Sequence, residues 1–158
     1  MKPVAVQDLL AADGPLHWQF EQPIRGLAST GPVRGVITAC VEGPLLRVQG
    51  EAETTVQLRC DRCLNVFDYP LKARANECIG LGQGEDALAE ALDFDAEGIS
   101  EQLDPSGSFD PEQWIYEQLN LQLPLVNRCG AHCPGPATWG SRDPVVDPRW
   151  AALKNLQP

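Results

Sequence analysis

The sequence predicts an α+β fold, an antiparallel β-sheet or partial barrel with a long cysteine-tipped hairpin, packed by one main helix and a short C-terminal helix. Three observations carry this. Apolar and polar residues alternate strictly from Leu46 to Cys60, the period of a half-buried strand. The alternation returns from Phe67 to Ala75 after the short Cys60-Asp61-Arg62-Cys63 segment, as two arms of an antiparallel hairpin do. Asp110-Pro111-Glu112-Gln113 combines an N-cap, a proline at the first helical position and a glutamine three residues after the cap, which together start a helix.

The remaining elements follow in order. Val4 to Ala12 is a short apolar-periodic run that ends at Asp13-Gly14-Pro15, predicting a turn of helix and then a break. His17 to Ile24 and Val33 to Val41 are bounded by proline and glycine and predict strands. In the hairpin, Leu46, Val48, Gly50, Ala52, Thr54, Val56, Leu58 and Cys60 share one face; Phe67, Tyr69, Leu71, Ala73 and Ala75 do so on the returning arm. Residues 79–108 are rich in glycine and acid with weak periodicity and predict an acidic irregular insertion, with one helical turn over Ala87 to Leu92. The main helix carries Trp114, Ile115, Leu119 and Leu123 until Pro124 stops it. Residues 136–146 predict a loop leading to a terminal helix over Arg149 to Asn155, started by Asp147-Pro148.

At 158 residues the chain is expected to form one domain spanning 1–158. No stretch has the eighteen or so apolar residues that a bilayer span needs, and Met1-Lys2-Pro3-Val4 lacks a signal-peptide layout. A cytoplasmic protein with no membrane partner is expected. Net charge is −10, and the excess sits in one block. Residues 75–127 hold every unbalanced acid and no lysine or arginine, which favours a basic partner and repels phosphate backbones.

The six cysteines, in a chain read as cytosolic, point to metal or burial rather than disulfides. Structural zinc takes four thiolate or imidazole ligands in a tetrahedron, and cysteines two or three residues apart let one tight turn aim both sulfurs at one ion. Cys60 and Cys63 meet that need, and Cys129 and Cys133 can complete the set, with His132 as a substitute ligand. Cys40 and Cys78 lack a near partner and are expected as small core hydrophobes. A thioredoxin-like thiol oxidoreductase needs its CxxC at a helix N-terminus, whereas this one joins two strands. His17 and His132 are the only histidines, and no nucleophile elbow or phosphate-cradling loop occurs, since acidic Glu85-Asp86 follows the glycines at 80, 82 and 84. A non-enzyme without a small-molecule substrate is expected. Trp114, Tyr116 and Trp150 are expected as core anchors.

Leu58-Arg59-Cys60-Asp61-Arg62-Cys63-Leu64, the acid-rich stretch, the helix ending Leu121-Gln122-Leu123-Pro124-Leu125, the segment from Cys129 to Pro134, and Asp147-Pro148-Arg149-Trp150-Ala151-Ala152-Leu153-Lys154 together resemble the YceD family over most of residues 35–155. Many members of that family carry further cysteines around the second motif, where this chain keeps Cys129 and Cys133. The resemblance implies a bacterial ribosome biogenesis factor that supports synthesis, processing or stability of 23S rRNA. It also implies an encoded neighbour, a small zinc-ribbon protein of the large subunit.

Two routes to that role are open. In one, a zinc-binding module contacts the 23S rRNA precursor through Arg59, Arg62, Lys72, Arg74 and Arg128, which gather near the hairpin tip if the cysteine pairs meet. In the other, the acidic segment binds a basic ribosomal protein or assembly factor of the large subunit. The charge balance, with no aromatics among the arginines, favours the second. For the arginines, a solvated strand face paired with Glu51, Glu53, Asp61 and Asp68 is the plainer expectation.

Overall fold

A computed structural model describes residues 1–81 and 99–136. The chain runs β1 (Val4–Ala5), α1 (Val6–Ala11), β2 (Leu16–Gln22), β3 (Val33–Glu42), β4 (Leu45–Arg59), β5 (Val66–Leu81), β6 (Ile99–Leu103), β7 (Ser108–Phe109) and α2 (Pro111–Leu121). Strands β2-β3-β4-β5-β6 form one sheet in that order, curled into a half-barrel, and β1 pairs β7 in a small ribbon. The α+β class therefore holds, with strand dominating. The fold departs from a purely antiparallel sheet at its last strand, because β6 joins β5 in parallel register with a bulge at Cys78/Ile79.

Hairpin β4–β5 is the longest element, an unbroken ladder from Leu45↔Gly80 to Arg59↔Val66. Directly paired residues share a face, so the alternation in the sequence becomes two surfaces. Leu46, Val48, Ala52 and Val56 join Leu71, Ala73 and Ile79 in the core, beside Phe20, Val33, Ile37 and Ala39 of β2 and β3. The opposite face carries Glu21, Arg34, Arg47, Glu53 and Lys72, tied in exposed ion pairs Arg34–Glu21, Arg47–Glu42 and Lys72–Glu53.

Helix α2 covers the apolar face. Asp110 caps it, accepting hydrogen bonds from the backbone N–H groups of Glu112 and Gln113 at 2.9 and 3.2 Å. Its buried residues, Pro111, Trp114, Ile115, Gln118 and Leu119, recur at three- and four-residue spacing and so form one stripe. The carboxylate of Glu77 on β5 accepts from the Trp114 indole N–H at 2.7 Å and from the Gln118 amide at 2.9 Å, which satisfies the two polar groups that the stripe buries. The Trp114 ring reaches the sheet because β4 has glycine beneath it. A Cβ on Gly50 would lie 2.8 Å from a Trp114 ring carbon and 3.0 Å from the Val36 carbonyl oxygen.

Several expectations shift. Val4–Ala5 is strand rather than helix, because it pairs with β7, and α1 starts only at Val6. The helix ends at Leu121, before Pro124. Within 79–108, β5 continues to Leu81, and Ile99–Leu103 and Ser108–Phe109 are strands; these runs are too short to show a period and take their conformation from the edges they pair with. Cys40 and Cys78 are half-buried on the charged face, not in the core, because they sit opposite Arg47 in the β3–β4 and β4–β5 registers. Trp114 is a core anchor and Tyr116 packs against the core, half-buried. The expected turn at Ala87 to Leu92, the loop beyond Pro136, the terminal helix and Trp150 lie outside the described residues. No described helix is long and apolar enough to cross a membrane.

Replacing Gly50 with alanine is expected to destabilise the fold by about 1–3 kcal/mol, since neither the Trp114 ring nor the Val36 carbonyl has room to give. Urea unfolding followed by tryptophan fluorescence measures it, and an unchanged midpoint would show that the helix does not seat on the sheet in this way.

Candidate metal centre

The hairpin tip is built by local backbone chemistry. Beyond the last ladder pair, the Cys60 N–H donates to the Asn65 carbonyl and the Leu64 N–H to the Cys60 carbonyl, both at 2.9 Å. Closing this turn puts Leu64 in the left-handed region at φ 64°, unusual for a branched side chain. Cys60 and Cys63, three residues apart inside it, turn their sulfurs inward and are buried.

The second pair arrives on the chain that leaves α2. Asn127 meets Asp61 reciprocally: the Asp61 N–H donates to the Asn127 carbonyl at 2.9 Å, and the Asn127 N–H to the Asp61 carboxylate at 2.7 Å. Cys129 and Cys133 flank a turn with Gly130 at φ 106°, and the Cys133 N–H donates to the Gly130 carbonyl. Sulfur–sulfur distances are 4.0 Å for Cys60–Cys133 and 3.6 Å for Cys63–Cys129, and all four sulfurs lie within 4.8 Å of one another. None is in a disulfide. Four ligands about 2.3 Å from a tetrahedral zinc ion stand about 3.8 Å apart, so the four thiols have the size and chemistry of a structural metal site. His132 is exposed and outside this cluster.

The site is electrostatically uneven. The Cys60 thiol is lowered to about 6 because backbone N–H groups of Cys63, Cys129 and Arg62 point at its sulfur, outweighing burial. Cys129 is pushed up to about 12 by burial and by hydrogen bonding with the other thiols. At Cys63 the Asn65 N–H pulls the thiol down, but burial and the contacts to Cys60 and Cys133 leave it raised. Cys60 is thus poised as the first thiolate, the form a metal needs. Its CxxC joins two strands rather than opening a helix, so it lacks the macrodipole of a redox CxxC.

Little else among the described residues holds the second pair in place. Leu123 packs against the core, but Leu125 and Val126 are exposed, and none of residues 124–136 belongs to the core. Ordering a residue costs about 1–2 kcal/mol, so fixing this segment costs on the order of 10 kcal/mol or more. The two Asp61–Asn127 hydrogen bonds return about 1–4 kcal/mol, whereas a structural zinc site supplies about 10–16 kcal/mol.

Of the basic residues, Arg59, Arg62 and Arg128 lie at this tip. All three are exposed, and none is ion-paired among the described residues. Arg62 also reaches the docked loop, its guanidinium 4.0 Å from the position of a Cβ on Gly135. Lys72 and Arg74 are not brought to the tip; they stand six and eight ladder positions away, about 20 and 27 Å. Lys72 is tied to Glu53 there. The sequence points to Asp61 as a partner for arginines and does not foretell its pairing with Asn127. Both are common turn residues, and nothing local tells that they face each other across the fold.

Purified protein is expected to hold about one equivalent of zinc, and cobalt to give a tetrahedral thiolate spectrum that Cys60→Ser abolishes. Well-folded protein without metal affinity would refute the site. Because at least Cys63 and Cys129 must lose protons on binding at pH 7, affinity should rise at least a hundredfold per pH unit there, measured by competition with a chromophoric chelator.

A family model described as large ribosomal RNA subunit accumulation protein YceD matches residues 48–157, which includes most of β4, the tip and the whole four-cysteine cluster. No curated protein and no solved structure matches the chain. The match spans more than half of the sequence and agrees with the resemblance carried by its motifs, so the chain belongs to the YceD family.

Proposed function

We propose that this protein is a non-catalytic ribosome biogenesis factor of the bacterial cytoplasm, supporting synthesis, processing or stability of 23S rRNA, and that its zinc-bound tip is the contact end. The observation that carries the reading is the four-cysteine cluster at the end of a family-matched hairpin. The family description names the large-subunit RNA. At the tip, Arg59, Arg62 and Arg128 have no ion pair among the described residues, while Arg34, Arg47 and Lys72 on the sheet are neutralised by glutamates. Unpaired guanidinium groups around a rigid turn suit phosphate oxygens. They also offset the −2 charge of a zinc ion with four thiolates, so RNA binding through them is modest rather than tight. In this reading Lys72 and Arg74 leave the contact set.

A second reading has its own support. Residues 75–127 carry acids and no lysine or arginine, a composition that suits a basic ribosomal protein or assembly factor of the large subunit.

Depleting the protein should lower 23S rRNA relative to 16S rRNA, with rescue by the wild-type chain and not by Cys60→Ser; an unchanged ratio refutes the biogenesis role. For the contact, binding to single-stranded fragments of the 23S precursor should fall with salt at a log–log slope of about −2 for three phosphate contacts. The Arg62→Ala, Arg128→Ala double variant should bring the slope to about −0.7, and Lys72→Ala should leave it unchanged. Salt-sensitive recovery of a basic large-subunit protein, with no RNA binding, moves the contact to the acidic segment.

A further inference from the structure

The tip is a composite of two distant segments, and what joins them differs from what joins the rest of the molecule. One part, Arg59 to Val66, ends a ladder whose other end is anchored in the core. The other, residues 124–136, has no helix or strand, contributes no core residue, and leaves Leu125 and Val126 exposed. Its described links to the hairpin are the Asp61–Asn127 pair, the four facing sulfurs, the Cys129 N–H directed at the Cys60 sulfur and the approach of Arg62 to Gly135.

We propose that the four cysteines form a metal-operated latch. Binding a tetrahedral, thiolate-seeking cation such as zinc docks residues 124–136 on the hairpin tip and sets Arg128 beside Arg62 and Arg59; loss of the metal releases the segment and dismantles that surface while the sheet and α2 stay folded. The inference rests on the metal reading above and adds regulation to it: metal occupancy decides whether the contact surface exists. The separation is physical. The sheet and α2 are held by burial of Ile37, Leu46, Leu71, Ile115 and Leu119, to which residues 124–136 add nothing. The shape of the turn supports it too, since Gly130 and Gly135 occupy left-handed positions that release without strain.

The test is amide hydrogen exchange, read by mass spectrometry on the full chain as purified with zinc and after stripping with a strong zinc chelator under reducing conditions. Stripping is expected to speed exchange at least tenfold in peptides covering 124–136 and in the turn at 60–65. Peptides covering β3 and α2 should be unchanged, and added zinc should restore protection. The Cys129→Ser, Cys133→Ser double variant should match the stripped state without chelator. If one equivalent of zinc binds but 124–136 exchanges alike with and without it, the latch is wrong and the metal site stands. If stripping unprotects β3 and α2 as well, the metal supports the whole fold and the latch is equally wrong. If no metal binds, the metal reading fails and takes the latch with it.

Discussion

Everything in this molecule hangs on the β4–β5 ladder, fifteen consecutive antiparallel pairs that span about 48 Å. Such a ribbon has a fixed alternation, so a single register decides at once which residues enter the core, which build the charged face, and where the turn falls. One end of the ribbon is clamped between β3, β6 and α2. The other carries the cysteine turn. A slip of one residue would expose Leu46, Val48, Ala52 and Val56 and would turn the sulfurs of Cys60 and Cys63 away from Cys129 and Cys133.

The two ends are stabilised by different physics. At the clamped end, the apolar face of the sheet and the stripe of α2 exclude water, and each polar group carried inward finds a partner. Glu77 is the clearest case, because its two carboxylate oxygens answer the Trp114 indole and the Gln118 amide together. At the tip there is too little apolar surface to do the same. The described tip is held by the Asp61–Asn127 pair, by hydrogen bonds inside its two turns and by four facing sulfurs spaced as a structural metal site spaces them.

Electrostatics separates the ends as well. On the sheet, Arg34, Arg47 and Lys72 are each ion-paired with a glutamate across or along strands. Acids dominate residues 75–127, and Arg59, Arg62 and Arg128, without an ion pair among the described residues, lie beside the four cysteines. The described tip therefore presents positive side chains around four buried or half-buried cysteines.

Much of this was legible in the order of residues. The alternation along β4 and β5 requires only the period of a strand, and the Asp110-Pro111 start of α2 requires only the chemistry of unsatisfied N–H groups, so both appear without knowledge of any neighbour. The spacing of Cys60 with Cys63 and of Cys129 with Cys133 likewise marked each half of the metal site. What only the tertiary structure decided were relations between segments far apart in sequence. These include the parallel docking of β6 on β5, the glycine at position 50 that admits Trp114, and the meeting of Asp61 with Asn127. The distance of Lys72 and Arg74 from the tip belongs with them. Local propensity has no term for a partner sixty residues away; the closing of the core and the convergence of the two cysteine pairs supply it.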